Sequence, residues 1–282
     1  MPYKIGIDVG GTKVLGVILQ GSRILRQEKI EMTDKTPEGF MRSIKLLIKF
    51  LLNGKSPRGS TLGMTFPGLV EKGCLVKAPN LQYMEGFDFS KAFPKCHFKK
   101  ISFANDAACY ALGEAVRLKR KNLVGITLGT GVGCGVIIDG RIYCGGSNSV
   151  ELSHMIIKPN GRRCTCGSYG CLEEYFSARA LLRETKKVFG KEVDAYELKR
   201  LSDKGDRRAI RVCKILGFYL GIGLGNASNI LNPEIISISG GLAKNRLIVR
   251  YGVEEMRRVL YCYEPKIVLG KYESAAVGAA SL

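Results

Sequence analysis

The sequence predicts an α/β protein built from two related halves, and three observations carry that expectation. The segment IGIDVGGTKVLGVILQG, Ile5 to Gly21, returns 119 residues later as VGITLGTGVGCGVIIDG, Val124 to Gly140, with seven of the seventeen paired positions identical. Short β-branched runs bounded by glycine are interspersed with stretches of helical periodicity, a mixture of the two periods rather than a single one. The length of 282 residues allows two medium domains, each with its own core, and 45% apolar with 24% charged residues is an ordinary globular composition.

Residues 3 to 9 and 14 to 20 read as strands joined through Gly10-Gly11-Thr12-Lys13, a hairpin whose glycines are expected at positive φ. A strand from Ser22 to Met32 follows. Thr36-Pro37 is a helix-start signal for EGFMRSIKLLIKFLL, residues 38 to 52, whose apolar positions fall at helical spacing. A strand at Thr61 to Thr65 then meets a turn at Phe66-Pro67-Gly68. The strand Lys100 to Phe103 runs into Asn105-Asp106, a capping pair for a helix from Ala107 to Arg120. The second half repeats the plan, with strands at 123 to 128 and 134 to 144 around the second glycine turn. Helices are expected at 173 to 189, 194 to 203 and 206 to 230, the last stopped by Pro233. Strand Ile235 to Ser239 meets Gly240-Gly241, and a helix at 243 to 260, a strand at 266 to 269 and a helix at 274 to 281 complete the chain.

The flanking elements decide what the glycine turns are. A P-loop needs Gly-Lys-Ser/Thr followed by a helix, whereas here Gly11-Thr12-Lys13 is followed by a strand. A dinucleotide fingerprint also opens a helix, yet Gly131-Val132-Gly133-Cys134-Gly135 passes into the β-branched Val136-Ile137-Ile138. One glycine hairpin is an ordinary tight turn. Two at matching places in two halves suit a polyphosphate cradled by backbone N–H groups from both sides.

The net charge of +19 raises a polyanionic partner, but the basic residues are scattered and not interleaved with aromatics, so nucleic acid is not expected. No leader-type apolar region follows Lys4 and no run of eighteen apolar residues occurs, so the protein is expected to be cytoplasmic, with no membrane partner. Of ten cysteines, Cys164, Cys166 and Cys171 fall within eight residues, and His154 is one of only two histidines. One imidazole and three thiolates make the closed set of a structural zinc site, the alternative being three reduced thiols. Asn105-Asp106, read locally, is an N-cap or a place for a general base.

Taken together and in order, Ile5-Gly-Ile-Asp-Val-Gly-Gly-Thr-Lys13, Asn105-Asp106, Leu128-Gly-Thr-Gly131, Glu151-Leu-Ser-His154, the cysteine cluster, Glu173 and Ser239-Gly-Gly241 resemble the ROK family of sugar kinases and repressors. The resemblance implies the duplicated actin-like ATPase fold, two domains around a nucleotide and sugar cleft. Their expected bounds are 1 to 108, with residues 270 to 282 returning to that domain, and 109 to 269. It implies Asp106 as catalytic base and sugar contacts from Gly68, Asn80, Asn105, Asp106, Glu151, His154 and Glu173. The nucleotide and its phosphates fall to Asp8, Gly10, Gly11, Thr12, Lys13, Gly129, Thr130, Gly131, Gly240 and Gly241, with Asp8 ordering Mg²⁺ water. Zinc ligands fall on His154, Cys164, Cys166 and Cys171. Cofactors are then ATP, catalytic Mg²⁺ and structural Zn²⁺, and the partners a hexose and ATP, in a homodimer or homotetramer.

The expected reaction is phosphorylation of the 6-hydroxyl of an aldohexose, glucose first, as in a glucokinase of glycolysis. An N-acetylhexosamine kinase, for N-acetylmannosamine or N-acetylglucosamine, is the alternative within the class. A sugar-responsive regulator is the alternative outside it, disfavoured because a DNA-binding segment would precede a phosphate loop that here begins by residue 8. The chain departs from the family at Ser153, where glycine is usual before the histidine, and at Cys134, also a common glycine position.

Overall fold

The computed structural model describes residues 2–78, 80–93, 98–129, 131–146, 150–261 and 263–282. The first half runs β1 (Lys4–Val9), β2 (Lys13–Gln20), β3 (Arg23–Glu31), α1 (Pro37–Leu52), β4 (Thr61–Phe66), β5 (Leu69–Glu71), β6 (Cys74–Lys77), β7 (Lys100–Asn105) and α2 (Asp106–Leu118). The second runs β8 (Leu123–Leu128), β9 (Val132–Ile138), β10 (Arg141–Ile142), α3 (Ala178–Phe189), α4 (Ala195–Asp203), α5 (Arg207–Leu231), β11 (Ile235–Gly240), α6 (Arg246–Val259), β12 (Lys266–Leu269) and α7 (Ser274–Ala280). Two five-stranded sheets result, ordered β3-β2-β1-β4-β7 and β10-β9-β8-β11-β12. Each position in one order has its counterpart in the other, and β8 begins and ends 119 residues after β1. In the first sheet β1, β2 and β3 are antiparallel while β1, β4 and β7 are parallel. This is the duplicated α/β architecture that the repeat predicted.

The chain divides into two compact units, Met1–Gly125 with Gly135–Val150 and Lys271–Leu282, and Ile126–Cys134 with Glu151–Gly270. In the first unit the apolar stripe of α1 (Phe40, Ile44, Leu47, Leu51) joins Ile5, Ile7, Leu62, Met64 and Phe66 in one buried cluster. The other face of the sheet takes α7, whose Ala276, Val277 and Ala280 pack on Leu15, Val17 and Leu19. That helix sits so close that a Cβ at Gly6 would overlap the Ala276 carbonyl oxygen and one at Gly63 that of Ala279. Small residues on both sides are what permit this approach.

Buried Glu114 of α2 ties down the approach to α7. It is paired with Arg117 and accepts from the backbone N–H of Lys271 (3.1 Å) and the Ser274 hydroxyl. Replacing it by alanine leaves these donors unpaired and should lower the unfolding free energy by about 3 kcal/mol, read in urea at unchanged slope. A loss below about 1 kcal/mol would show that water replaces the carboxylate there.

Several elements differ from expectation, each for a local reason. The strand expected over 134 to 144 is broken into β9 and β10 by Asp139 (φ 52°) and Gly140 (φ 77°), the two left-handed residues of a tight hairpin turn. The helix expected from 173 begins at Ala178, because the Ser177 hydroxyl accepts the Ala180 N–H, and residues 172 to 174 form a single 3₁₀ turn. Asn245 caps α6 in the same way, so that helix starts at 246 rather than 243. The hairpin of β5 and β6 was not anticipated.

Gly10 and Gly11 are not at positive φ. A Cβ on Gly11 would lie 3.1 Å from the Asn80 carbonyl oxygen, so close approach, not handedness, accounts for that residue. The left-handed glycines of the repeat are Gly21 and Gly140, at its far end. No helix among the described residues is long and apolar enough to cross a membrane.

Candidate functional site

In the first unit the predicted residues gather at the carboxyl ends of three neighbouring parallel strands, the usual place for a ligand in such sheets. Asp8, near the end of β1, pairs in register with Thr65 of β4, whose successor Phe66 pairs with Asn105 at the end of β7. Asn105 caps α2, its side-chain oxygen accepting from the N–H groups of Ala107 (2.9 Å) and Ala108 (3.2 Å), while its amide donates to the Gly68 carbonyl (3.3 Å). The local cap and the functional placement are therefore compatible, because the cap uses Asn105 and leaves Asp106 as the first helical residue. Gly11 lies against Asn80, which brings that predicted sugar-loop residue to the first glycine turn. Lys13 is exposed and pairs with Glu31 (3.5 Å) across β2 and β3.

Burial, and next the negative charge of Asp106, raise Asp8 from its ordinary 3.8 to about 7. The Thr65 hydroxyl offsets this only in part; it is buried and makes no well-formed hydrogen bond. The two carboxylates also act on the buried Cys109, whose thiol is held well above its usual range by burial and then by Asp8 and Asp106. Such a site suits a cation beside the carboxylates.

The shift of Asp8 has a stability consequence. Because the folded value lies above the unfolded one, stability is present below the unfolded pKa and is lost as pH rises toward 7. Asp8→Asn removes the penalty, so at pH 8 the variant should unfold later than the parent by about 4 kcal/mol at most, and by less than half of that at pH 5. Equal stabilities of the two proteins across this range, measured by denaturant titration, would mean that Asp8 is not desolvated.

In the second unit the equivalent strand ends carry Gly129 and Gly240. Gly240 has φ 104°, and a Cβ there would overlap the Leu128 carbonyl oxygen, so the close approach of β8 and β11 at this point requires glycine. Gly241 has open space around its Cα. The Gly129 N–H donates to the Gly131 carbonyl (3.0 Å). Thr130 lies outside the described residues, as does Pro79 beside Asn80.

Glu151 precedes a 3₁₀ turn, Leu152–His154, in which the His154 N–H donates to the Glu151 carbonyl (3.1 Å). Ser153, where the family has glycine, is buried in this turn and is not at positive φ, so the side chain is accommodated without backbone strain. Cys134 is buried too, and desolvation followed by the charge of Glu151 raises its pKa.

The ligand atoms of His154, Cys164, Cys166 and Cys171 all lie within 4.8 Å of one another. Cys164 Sγ is 3.6 Å from His154 Nδ1, and Cys166 Sγ is 3.7 Å from Cys171 Sγ. A tetrahedral ion with zinc–sulfur bonds of ~2.3 Å and a zinc–nitrogen bond of ~2.0 Å has edges of roughly 3.5 and 3.8 Å, so the cluster fits zinc. With Nδ1 turned into the cluster, Nε2 is the imidazole nitrogen left to face another group.

Sequence reading missed the two arginines beside Glu173. Arg179 donates to Glu173 Oε1 (2.8 Å) and lies 3.5 Å from Glu174, and Arg183 pairs with Glu174 (2.9 Å). Neither spacing is a helical neighbour pair, because the 3₁₀ turn and the Ser177 cap intervene, so no periodic signal announces them.

Comparison with known proteins adds independent findings. The sequence profile of the ROK family matches residues 4–282. The chain is 32% identical over 259 residues to the xylose repressor of Bacillus subtilis, a match covering 88% of this chain and only 66% of that protein. It is 28% identical to the glucokinase of Thermotoga maritima, over 99% of this chain and 96% of that one. The crystal structure of a ROK hexokinase from Thermus thermophilus superposes with a TM-score of 0.87 at 27% identity, covering 99% of this chain and 96% of the other.

Proposed function

We propose, from the premise that this chain belongs to the ROK family, that it is a sugar kinase transferring the γ-phosphoryl group of ATP to the 6-hydroxyl of an aldohexose, with glucose as first candidate. The observation that carries this reading is the pair Asp8, near the end of β1, and Asp106, directly after β7, on either side of β4 in the first sheet. Phosphoryl transfer needs an acceptor for the hydroxyl proton and compensation for phosphate charge, and little else from the protein. Asp106 takes the proton. Its rigid place at the first turn of α2 is held by the Asn105 cap.

Asp8 orders the water of a magnesium ion, which when bound neutralises charge on the phosphates. Its raised pKa requires that it ionise as the cation arrives, so magnesium should bind better as pH rises through 7. Gly10, Gly11, Thr12, Lys13, Gly129, Thr130 and Gly131 hold phosphates, and Gly240 and Gly241 border the adenosine. Gly68, Asn80, Asn105, Glu151, Glu173 and Nε2 of His154 meet sugar hydroxyls, where a wrong epimer leaves acceptors unpaired. His154, Cys164, Cys166 and Cys171 hold zinc in a closed structural set that orients the 151 to 173 segment.

The N-acetylhexosamine kinase reading shares all of these roles and differs in the sugar alone. The similarity to a xylose repressor favours a second reading, a sugar-binding regulator. A coupled assay with glucose, mannose, fructose, N-acetylglucosamine and N-acetylmannosamine, each with ATP and with polyphosphate, separates the three. Turnover of glucose with ATP supports the first. Sugar binding without turnover of any sugar by either donor would leave the regulator.

A further inference from the structure

We propose that Glu173 and Arg179 form a tether that holds the second glycine turn, so that a residue assigned to the sugar also sets the geometry of a phosphate loop. The Glu173 carboxylate is divided between two partners. Oε2 accepts from the backbone N–H of Val132 (3.1 Å), the first residue of β9, and Oε1 accepts from Arg179 Nη2 (2.8 Å). A Cβ at Gly131 would overlap Oε2, so glycine at that position makes the seat for the carboxylate. The turn is held at its other end as well, because the N–H of Ala178, at the start of α3, donates to the Gly129 carbonyl (3.2 Å).

The segment 173 to 179 therefore grips the turn on both sides, and it begins two residues after Cys171 of the cysteine cluster. Arg179 is the part that keeps the carboxylate in place. The adjacent Glu174 is buried, and two acids side by side would repel without the paired guanidinium groups of Arg179 and Arg183. A hydrogen bond to the loop amide also needs the Glu173 carboxylate aimed at it, which the Arg179 contact supplies. Arg179 is on this reading a positioning residue, acting on the nucleotide through Glu173 and Val132. This inference rests on the kinase reading for what the loop binds, but not for the tether itself.

The test uses Arg179→Gln and Glu173→Ala in the full chain, with Arg179→Lys as the conservative control. Amide hydrogen exchange of the peptide containing Val132 should rise about tenfold or more in the first two variants while β11 stays protected, and the lysine variant should restore most of the protection. Affinity for a non-hydrolysable ATP analogue, measured without sugar, should fall about tenfold in Arg179→Gln. Unchanged exchange at Val132, or a loss confined to sugar affinity, would make Glu173 a sugar contact only and overturn the tether. Faster exchange in a protein that phosphorylates no sugar would uphold the tether while the kinase reading fails.

Discussion

Asp106→Asn is expected to lower kcat by at least about 10²-fold, the usual worth of a positioned base, with sugar affinity nearly unchanged. The amide is isosteric with the carboxylate, and its oxygen can still accept from the Ala107 N–H, as Asp106 Oδ1 does at 2.8 Å. Helix α2 keeps its cap, because that role belongs to Asn105. A loss of turnover is then not a loss of folding. The same variant carries a second signature, since the charge of Asp106 contributes to the raised pKa of Asp8. Removing it should bring Asp8 down from about 7, moving the acid limb of any pH-dependent magnesium binding to lower pH. Near-normal turnover by purified Asp106→Asn would remove this residue from the chemistry, whatever happens to Asp8.

One zinc per chain is expected by elemental analysis, and Cys166→Ser should abolish it. Cys166 is the informative choice because it is the exposed member of the four, so exchanging sulfur for oxygen disturbs no packing and any destabilisation comes from the metal. Structural zinc contributes binding energy directly to folding, and loss of even about 4 kcal/mol should lower Tm by roughly 8 to 16 °C in a chain of this size class. The stretch from Met155 to Leu172 explains the dependence. It contains no α-helix or extended strand and is held by loop hydrogen bonds and the isolated bridges Ile156 with Cys171 and Arg163 with Tyr169, so a metal would add cross-links that regular structure does not supply. Sugar affinity should fall with the metal, because Glu151, His154 and Glu173 flank that stretch. A metal-free parent protein with the same Tm and turnover as zinc-loaded protein would show that the cluster is three thiols and an imidazole.

The repeat was legible because duplication copies backbone requirements. Gly6 and Gly125 both face a helix at a distance that a Cβ forbids, and Gly21 and Gly140 both sit in left-handed turns, so two of the seven identities answer to steric demands of the same kind in each half. Helix bounds failed where the start was set by a side-chain cap. Ser177 and Asn245 are unremarkable in a periodic pattern, and only the hydroxyl or amide meeting a free N–H shows them to be starts.

Local chemistry along the chain was enough to establish the α/β class, the two glycine turns, the cysteine and histidine set and the Asn105-Asp106 cap, since each depends on residue types at short and regular spacing. Folding alone determined which of these groups act on one another. The pKa of Asp8 depends on Asp106, almost a hundred residues away, brought near by parallel strand pairing. The tie between Glu173 and Val132 spans 41 residues, and that between Glu114 and Ser274 spans 160. Charge, desolvation and hydrogen bonding act over a few ångströms in space, so the chain order that reveals a motif carries no record of its neighbours across the fold.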